Sequence, residues 1–189
     1  MDNTFLPDNL LIRAIGNWNP KIFKPQWIKK NLLGEGELNF LVNPDVLELG
    51  WDVQGIKIFP KPNELMMILE GEKQITSDNI LRFASLFIKT VSLLPHTPIE
   101  AIGFNITYTV KPDKKTKVTE WLLKHQVQFE DLSLTQIQVS KKCEKYILNI
   151  IVTKEGENHK VNFNYHFDNS IETEANYFLE LYKDSERYL

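Results

Sequence analysis

The chain has 189 residues, of which 42% are hydrophobic and 25% charged, and its formal net charge is −3. This composition excludes a disordered or low-complexity protein and is sufficient for a packed core in one domain or two small ones. The acidic balance argues against a dedicated nucleic-acid-binding protein, although local basic patches can still bind phosphate. The single cysteine, Cys143, excludes an internal disulfide bond and a zinc site with several cysteines.

Two segments bear on where the protein resides. The first residues lack the basic region and the apolar run of a signal peptide. The apolar-rich segment from Ile80 to Leu94 is too short and too polar to span a bilayer. We therefore expect a cytoplasmic protein with no membrane contact.

Hydrophobic alternation and turn signals predict one group of elements before residue 96. A strand from Leu10 to Trp18 comes first, and Pro25 then opens a short helix. Four extended runs follow: Leu38 to Val42, Val46 to Val53, Ile56 to Phe59, and Leu65 to Leu69. Ser77 is the predicted N-cap of a long helix that ends before Pro95.

The chain after residue 95 repeats this order. The strand from Ile99 to Val110 alternates more cleanly than any other segment and leads into a short helix that carries Trp121. Three extended runs follow: Leu132 to Val139, Tyr146 to Val152, and Val161 to Phe167. A terminal helix begins at about Ile171. Trp27 and Trp121 are expected to anchor the two short helices in the core.

These elements predict an α+β fold of two similar units, residues 1–95 and 96–189, in one compact globule. Each unit runs strand, short helix, three or four strands, long helix. Few residues are identical between the halves, so an internal duplication and a chance match both remain open. The order of elements resembles that of TATA-binding-protein-like folds, a resemblance that rests on no shared sequence motif and implies no function. If the halves pair, they form a curved antiparallel sheet with both long helices packed on one face.

Polar alternation in the second half predicts a ligand-binding face on the sheet. The residues concerned are Asn105, Thr107, Asn162, Asn164, His166 and Asp168. Amides and hydroxyls both donate and accept hydrogen bonds without the cost of desolvating a charge. Such a face suits a peptide, a nucleobase, a sugar or another protein. Polar residues that merely face water are the alternative interpretation.

The first half differs because both faces of its predicted sheet are apolar. One face would carry Leu41, Phe59, Met66 and Ile68, and the other Phe40, Ile58, Met67 and Leu69. A sheet that is buried on both sides needs a second cover. That cover is expected to be the N-terminal segment, the other half of the chain, or a second subunit.

Lysines concentrate in both short-helix regions. The candidates for contact with phosphate are Lys29, Lys30, Lys114, Lys115 and Lys117. Two basic helices can flank a nucleic-acid backbone, whereas a solvated surface is the alternative explanation.

Signals for catalysis are weak. His166 and Asp168 stand two apart on a strand, as a proton-transfer pair or two metal ligands would, but a metal would lack a third ligand. Cys143 lies among lysines in a predicted hairpin turn with no histidine partner. The sequence has no phosphate loop, dinucleotide fingerprint or zinc spacing. We therefore predict no catalytic residue, no metal and no cofactor.

Three functional hypotheses result. The leading one is a non-enzymatic binding module that uses the open face of an antiparallel sheet to hold a protein partner or a second copy of itself. The first alternative is nucleic-acid binding through the lysine-rich short helices and the amide-rich sheet. The second is a small-molecule binder or enzyme centred on His166 and Asp168.

Overall fold

The computed structural model describes residues 6–43, 48–71, 75–111, 114, 116–118, 120–121, 135–168 and 174–189. Within these ranges the fold is α+β, with nine strands in one antiparallel sheet and three α-helices. No helix in the same ranges is both long and apolar enough to cross a lipid bilayer. Parts of the predicted elements lie outside the described residues, among them residues 46–47, 122–134 and 171–173.

The elements follow the predicted order. The first five strands are β1 (Asn9–Gly16), β2 (Asn39–Asn43), β3 (Glu48–Val53), β4 (Ile56–Pro60) and β5 (Glu64–Glu70). The other four are β6 (Ile99–Val110), β7 (Gln136–Lys142), β8 (Ile147–Glu155) and β9 (Asn158–Asp168). The helices are α1 (Pro25–Ile28), α2 (Ser77–Ser92) and α3 (Ala175–Glu186). A 3₁₀ turn, Pro20–Ile22, precedes α1, and a π-helical turn, Lys29–Leu33, extends it.

The strand order places β1 and β6 at the centre of the sheet. Across the sheet the order is β2-β3-β4-β5-β1-β6-β9-β8-β7, and every neighbouring pair is antiparallel. Ile12 of β1 lies opposite Phe104 of β6. On its other side β1 pairs with β5, and β6 likewise pairs with β9. The two leading strands therefore join the two groups of strands.

The hydrophobic core lies on one side of the sheet, where the long helices pack. Phe87 of α2 and Phe104 of β6 both contact the ring of Phe178 of α3, with centroids 6.1 and 5.2 Å away. All three phenylalanines are at most 1% exposed. In α2 the buried side chains recur at helical spacing, so one stripe of the helix faces the sheet: Ile80, Phe83, Ala84 and Phe87.

Several helix and strand ends differ from the predictions; for example, β9 begins at Asn158 rather than Val161, and α3 begins at Ala175 rather than about Ile171. The N-cap of α2 is Thr76 rather than Ser77, because the Thr76 hydroxyl accepts a hydrogen bond from the backbone N–H of Asn79 at 3.3 Å. Strand β1 ends at Gly16, where its pairing with β6 shifts register, instead of at Trp18. Trp18 turns back into the core and donates its indole N–H to the Ala14 carbonyl at 2.8 Å.

The predicted core role of Trp121 is wrong. Trp27 is partly buried against the core, whereas Trp121 is 41% exposed. Trp121 lines a groove of about 290 Å³ beside β7, together with Val139 and Tyr188. Indole rings are large enough to be read as core residues from sequence although they often lie at a surface that is only half covered.

Candidate binding surface

The candidate surface is the side of the sheet that faces away from the long helices, here called the open face. Its residues alternate with the core residues along each strand, as the predicted periodicity requires. The side chains of Leu11, Ile68, Asn105 and Asn164 come from four neighbouring strands of this face. The buried side chains of the described helices belong to one hydrophobic core cluster, and none of these four residues is part of that cluster. In the part of the chain that the structure describes, no helix covers the open face.

A row of hydrogen-bonded side chains crosses the open face from β6 to β7. Asn164 donates to the Asn105 side-chain oxygen at 2.9 Å and accepts from the Asn149 amide at 3.0 Å. Ser140 donates to the Asn149 oxygen at 2.7 Å. We call this row of Asn105, Asn164, Asn149 and Ser140 the amide ladder. It forms because the strand register places these residues directly opposite one another.

The amide ladder keeps hydrogen-bonding capacity for a ligand. Each amide has two N–H donors and an oxygen with two lone pairs. Asn164 uses one N–H and one lone pair within the ladder, and the residue is only half buried. Gly103 adjoins it, where an added Cβ would lie 3.3 Å from the Asn164 side-chain nitrogen. The ladder therefore holds its amides in fixed orientations and leaves part of their polar surface accessible.

A second polar pair extends this surface. Asn162 donates to the Thr107 hydroxyl at 2.9 Å, one step along β6 and β9 from the ladder. Farther along β9, the His166 ring nitrogen lies 3.2 Å from an Asp168 carboxylate oxygen. The side chain of His166 is 39% exposed and that of Asp168 is 85% exposed. The six predicted residues thus share one face, with four in cross-strand pairs and two in a separate exposed pair, but Thr107 is only 6% exposed and is not accessible to a ligand.

One member of the surface, Ser140, was missed in the sequence. Ser140 closes the ladder on β7, and the polar alternation of Gln136, Gln138 and Ser140 with Ile137 and Val139 was the signal for it. Alternation also puts Asn149 on this face, but its bonds to both neighbouring strands depend on register, which alternation does not fix.

Replacing Asn164 with alanine tests the ladder. The variant loses two side-chain hydrogen bonds, so we expect the free energy of unfolding to fall by about 1 to 2 kcal/mol. A double-mutant cycle with Asn105→Ala should show coupling between the two sites, measured by urea denaturation. Asn176→Ala, on the exposed side of α3, is the control and should change stability by less than about 0.5 kcal/mol. Additive effects of the two ladder substitutions would contradict a direct bond.

The β1–β5 part of the open face is apolar with internally paired charges. The register confirms that Leu41, Phe59, Met66 and Ile68 share this side, opposite to the core side chains of the same strands. Phe59 is 7% exposed and packs over Gly50, which has no side chain to displace it. The described charges pair with one another, as in the contact between Lys57 and Glu70. This part of the face is therefore close to neutral.

Glu64 is the best buried charge of this region. Arg13 donates from Nε and Nη2 to one carboxylate oxygen of Glu64 at 2.8 and 2.6 Å, and Lys61 donates to the other oxygen at 2.9 Å. Burial alone would raise the pKa of Glu64, but the hydrogen bonds and charges of Lys61 and Arg13 outweigh it and hold the pKa below the ordinary value.

The depressed pKa makes Glu64 an acid-sensitive contributor to stability. Because its pKa is lower in the folded than in the unfolded protein, its contribution is present above the ordinary value of 4.5 and is lost as pH falls below it. We expect Glu64→Gln to cost about 1 to 2 kcal/mol at pH 7, since Arg13 is half exposed and partly screened. The loss of stability of the wild type between pH 5 and pH 3 should be smaller in the variant. Denaturation at each pH measures both, and parallel curves would exclude this role.

The candidate phosphate-contact lysines lie elsewhere. Lys29 and Lys30 are exposed on the turn that extends α1, whose Ile28 and Leu32 enter the core on the helix side of the sheet. Lys117 donates to the Arg187 carbonyl at 2.7 Å. Lys114 is exposed at a turn, and Lys115 lies outside the described residues. The structure therefore does not bring Lys29 and Lys30 to the same side of the sheet as the amide ladder.

No group of three or more His, Cys, Asp or Glu side chains is placed to hold a metal ion among the described residues. Cys143 is half exposed in the β7–β8 turn, as predicted, and its backbone N–H donates to the Tyr146 carbonyl at 2.9 Å.

Comparisons with known proteins give no family. No protein-family model matches the sequence, and no curated protein matches it.

Proposed function

We propose that the protein is a non-enzymatic cytoplasmic binding module that holds a protein partner, or a second copy of itself, on the open face of its sheet. The observation that carries the proposal is the amide ladder beside the apolar β1–β5 region. Oriented amides can bond to a peptide backbone or to polar side chains, and the half-buried Leu11, Met66 and Ile68 offer apolar contact. No catalytic residue and no cofactor is assigned.

A protein suits this face better than a nucleic acid. Nucleic-acid affinity comes largely from cations that neutralise phosphates. On the open face Arg13 and Lys61 bind Glu64, and Lys57 binds Glu70, so these cations are already neutralised. Lys29 and Lys30 lie on the opposite side of the sheet. A nucleic acid would have to wrap around an edge of the sheet to contact Lys29 and Lys30 together with the amide ladder.

We also propose that the chain consists of two equivalent units, residues 1–95 and 96–189, with a TATA-binding-protein-like layout. The strand order supports this, since β1 pairs with β5 and β6 pairs with β9. The two leading strands meet at the centre of the sheet, and α2 and α3 follow their respective groups of strands. This layout gives one broad open face to which both units contribute.

Affinity capture from the native host tests the open face. The wild type is compared with Asn162→Arg on the open face and with Asn176→Arg on the exposed side of α3 as the matched control. Partner recovery should fall at least about tenfold for Asn162→Arg, equivalent to about 1.4 kcal/mol, and stay unchanged for Asn176→Arg. Thermal unfolding verifies that both variants fold. Equal recovery with both variants would reject the open face as the binding site.

Fluorescence anisotropy with labelled DNA and RNA distinguishes the proposed protein binding from the alternative, nucleic-acid binding. We expect no binding to DNA or RNA, even at low salt. Binding that weakens steeply with salt and is lost in a Lys29→Glu, Lys30→Glu double variant would instead establish nucleic-acid binding through α1.

A further inference from the structure

The edge strand β2 is unusually accessible and apolar. In the described part of the chain its only sheet neighbour is β3, so the backbone N–H and C=O groups of its outer edge have no strand to pair with. Phe40 and Val42 are 53% and 55% exposed, and Leu49, opposite Val42 on β3, is 58% exposed. The Phe40 ring contacts Trp51 with centroids 5.1 Å apart. These side chains form one apolar patch on the helix side of the sheet.

The opposite edge of the sheet is built differently. Strand β7 carries Lys141 and Lys142, both exposed, and lysines on an edge strand discourage pairing with another chain. Strand β2 has the sequence Asn-Phe-Leu-Val-Asn, without lysine, proline or any charge. The two edges therefore differ in the features that keep a sheet from extending.

We propose that β2 pairs with β2 of a second copy of this chain, so that the sheet continues across a two-fold axis. Opposed residues of an antiparallel pair point to the same side of the sheet. In a pair of identical β2 strands, the two opposed residue numbers must therefore both be odd or both be even. A register centred on Leu41 pairs the whole strand and places Phe40 opposite Val42 of the second copy. The most exposed apolar side chains of β2 then pack against each other, on the side where helices of both copies lie.

The second copy fits better than other occupants because β2 is self-complementary. Two uncharged strands meet with no like-charged pair, and a two-fold contact closes after two copies. Pairing of β2 with β7 of another copy would instead leave one free edge at each end and produce an open-ended polymer. The edge of β2 is separate from the open face, so this pairing is independent of the partner proposed for that face.

The first test is the mass in solution. The wild type, at 22.1 kDa per chain, should show a concentration-dependent doubling of mass in sedimentation or light scattering. Val42→Lys should be monomeric at every concentration, whereas Val139→Lys on β7 should dimerise as the wild type does. Val42 and Val139 are both exposed, so we expect both variants to fold like the wild type, and thermal unfolding checks this. A monomeric wild type, or a Val42→Lys variant that still dimerises, would overturn the proposal.

The second test fixes the register. In a Cys143→Ser background, Leu41→Cys should form an intermolecular disulfide under oxidation, because a residue on the two-fold axis has its own copy about 5 Å away between Cα atoms. Asn39→Cys is the control, since its copy would lie about 14 Å away along the strand and beyond disulfide reach. Equal cross-linking at both positions, or none at Leu41→Cys, would contradict pairing centred on Leu41.

Discussion

Replacing Phe104 with alanine is expected to lower the free energy of unfolding by about 3 to 5 kcal/mol. Phe104 lies on the central strand β6, is fully buried, and contacts the rings of Phe178 and Tyr165 at 5.2 and 6.3 Å. The substitution would remove a ring on which a helix and a strand both pack. The cavity left behind adds to the lost transfer free energy, because close-packed neighbours relax only in part.

Urea denaturation of Phe104→Ala beside Leu93→Ala provides the measurement. Leu93 follows α2 and is 40% exposed, so its truncation should cost less than about 1 kcal/mol. The free energy of unfolding of a typical domain is only about 5 to 15 kcal/mol, so the Phe104→Ala variant should be close to unfolding at 37 °C. A cost for Phe104→Ala as small as that for Leu93→Ala would show that Phe104 is not at the centre of the core.

Gly16→Ala should destabilise the protein by about 3 kcal/mol, the upper part of the range for overpacking. An added Cβ would lie 2.2 Å from the Pro98 carbonyl oxygen and 3.1 Å from the Cα of Ile99. Both contacts are with backbone, so no side-chain rotation relieves them. The same Pro98 carbonyl accepts the N–H of Asn17 at 3.1 Å, so separating the two chains also disturbs a hydrogen bond.

Gly103→Ala is the matched control within the same pair of central strands. There an added Cβ would meet only side-chain nitrogens, at 3.3 Å from Asn164 and 3.5 Å from Asn105. Neither glycine has a left-handed backbone, so the reduced freedom of the unfolded chain favours alanine slightly at both sites. We expect Gly103→Ala to lie within about 1 kcal/mol of the wild type by chemical denaturation. Similar effects at the two glycines would mean that the close approach at Gly16 is not limiting.

The strands and their buried sides were predictable because alternation is a local property. The stretch around Phe104 shows it clearly, since every second residue from Ile102 to Val110 is buried. The α+β class and the antiparallel pairing of the strands followed from such patterns, whereas the joining of both halves in one sheet was left open. The presence of apolar side chains on both sides of β4 and β5 was likewise predictable from the sequence.

What the sequence did not predict depends on strand order and register. Alternation gives the side of each residue but not its cross-strand neighbour, so the bond between Asn164 and Asn149 was not foreseeable. The Arg13–Glu64 ion pair joins residues 51 positions apart. The exposure of Phe40 and Val42 depends on β2 being an edge strand, and that position follows from the whole topology.

The central pairing of β1 with β6 has a consequence during synthesis. Leu11 and Asn105, which are joined across this pair, are 94 positions apart, so β1 emerges from the ribosome long before β6 exists. Closing so long a loop is entropically costly, and sheets dominated by such pairings fold slowly. The edge of β1 that later pairs with β6 therefore stays unpaired while β2 to β5 form. Once β6 has been synthesised, it pairs with this edge of β1. The second half of the chain thereby covers a strand edge of the first half that would otherwise stay exposed.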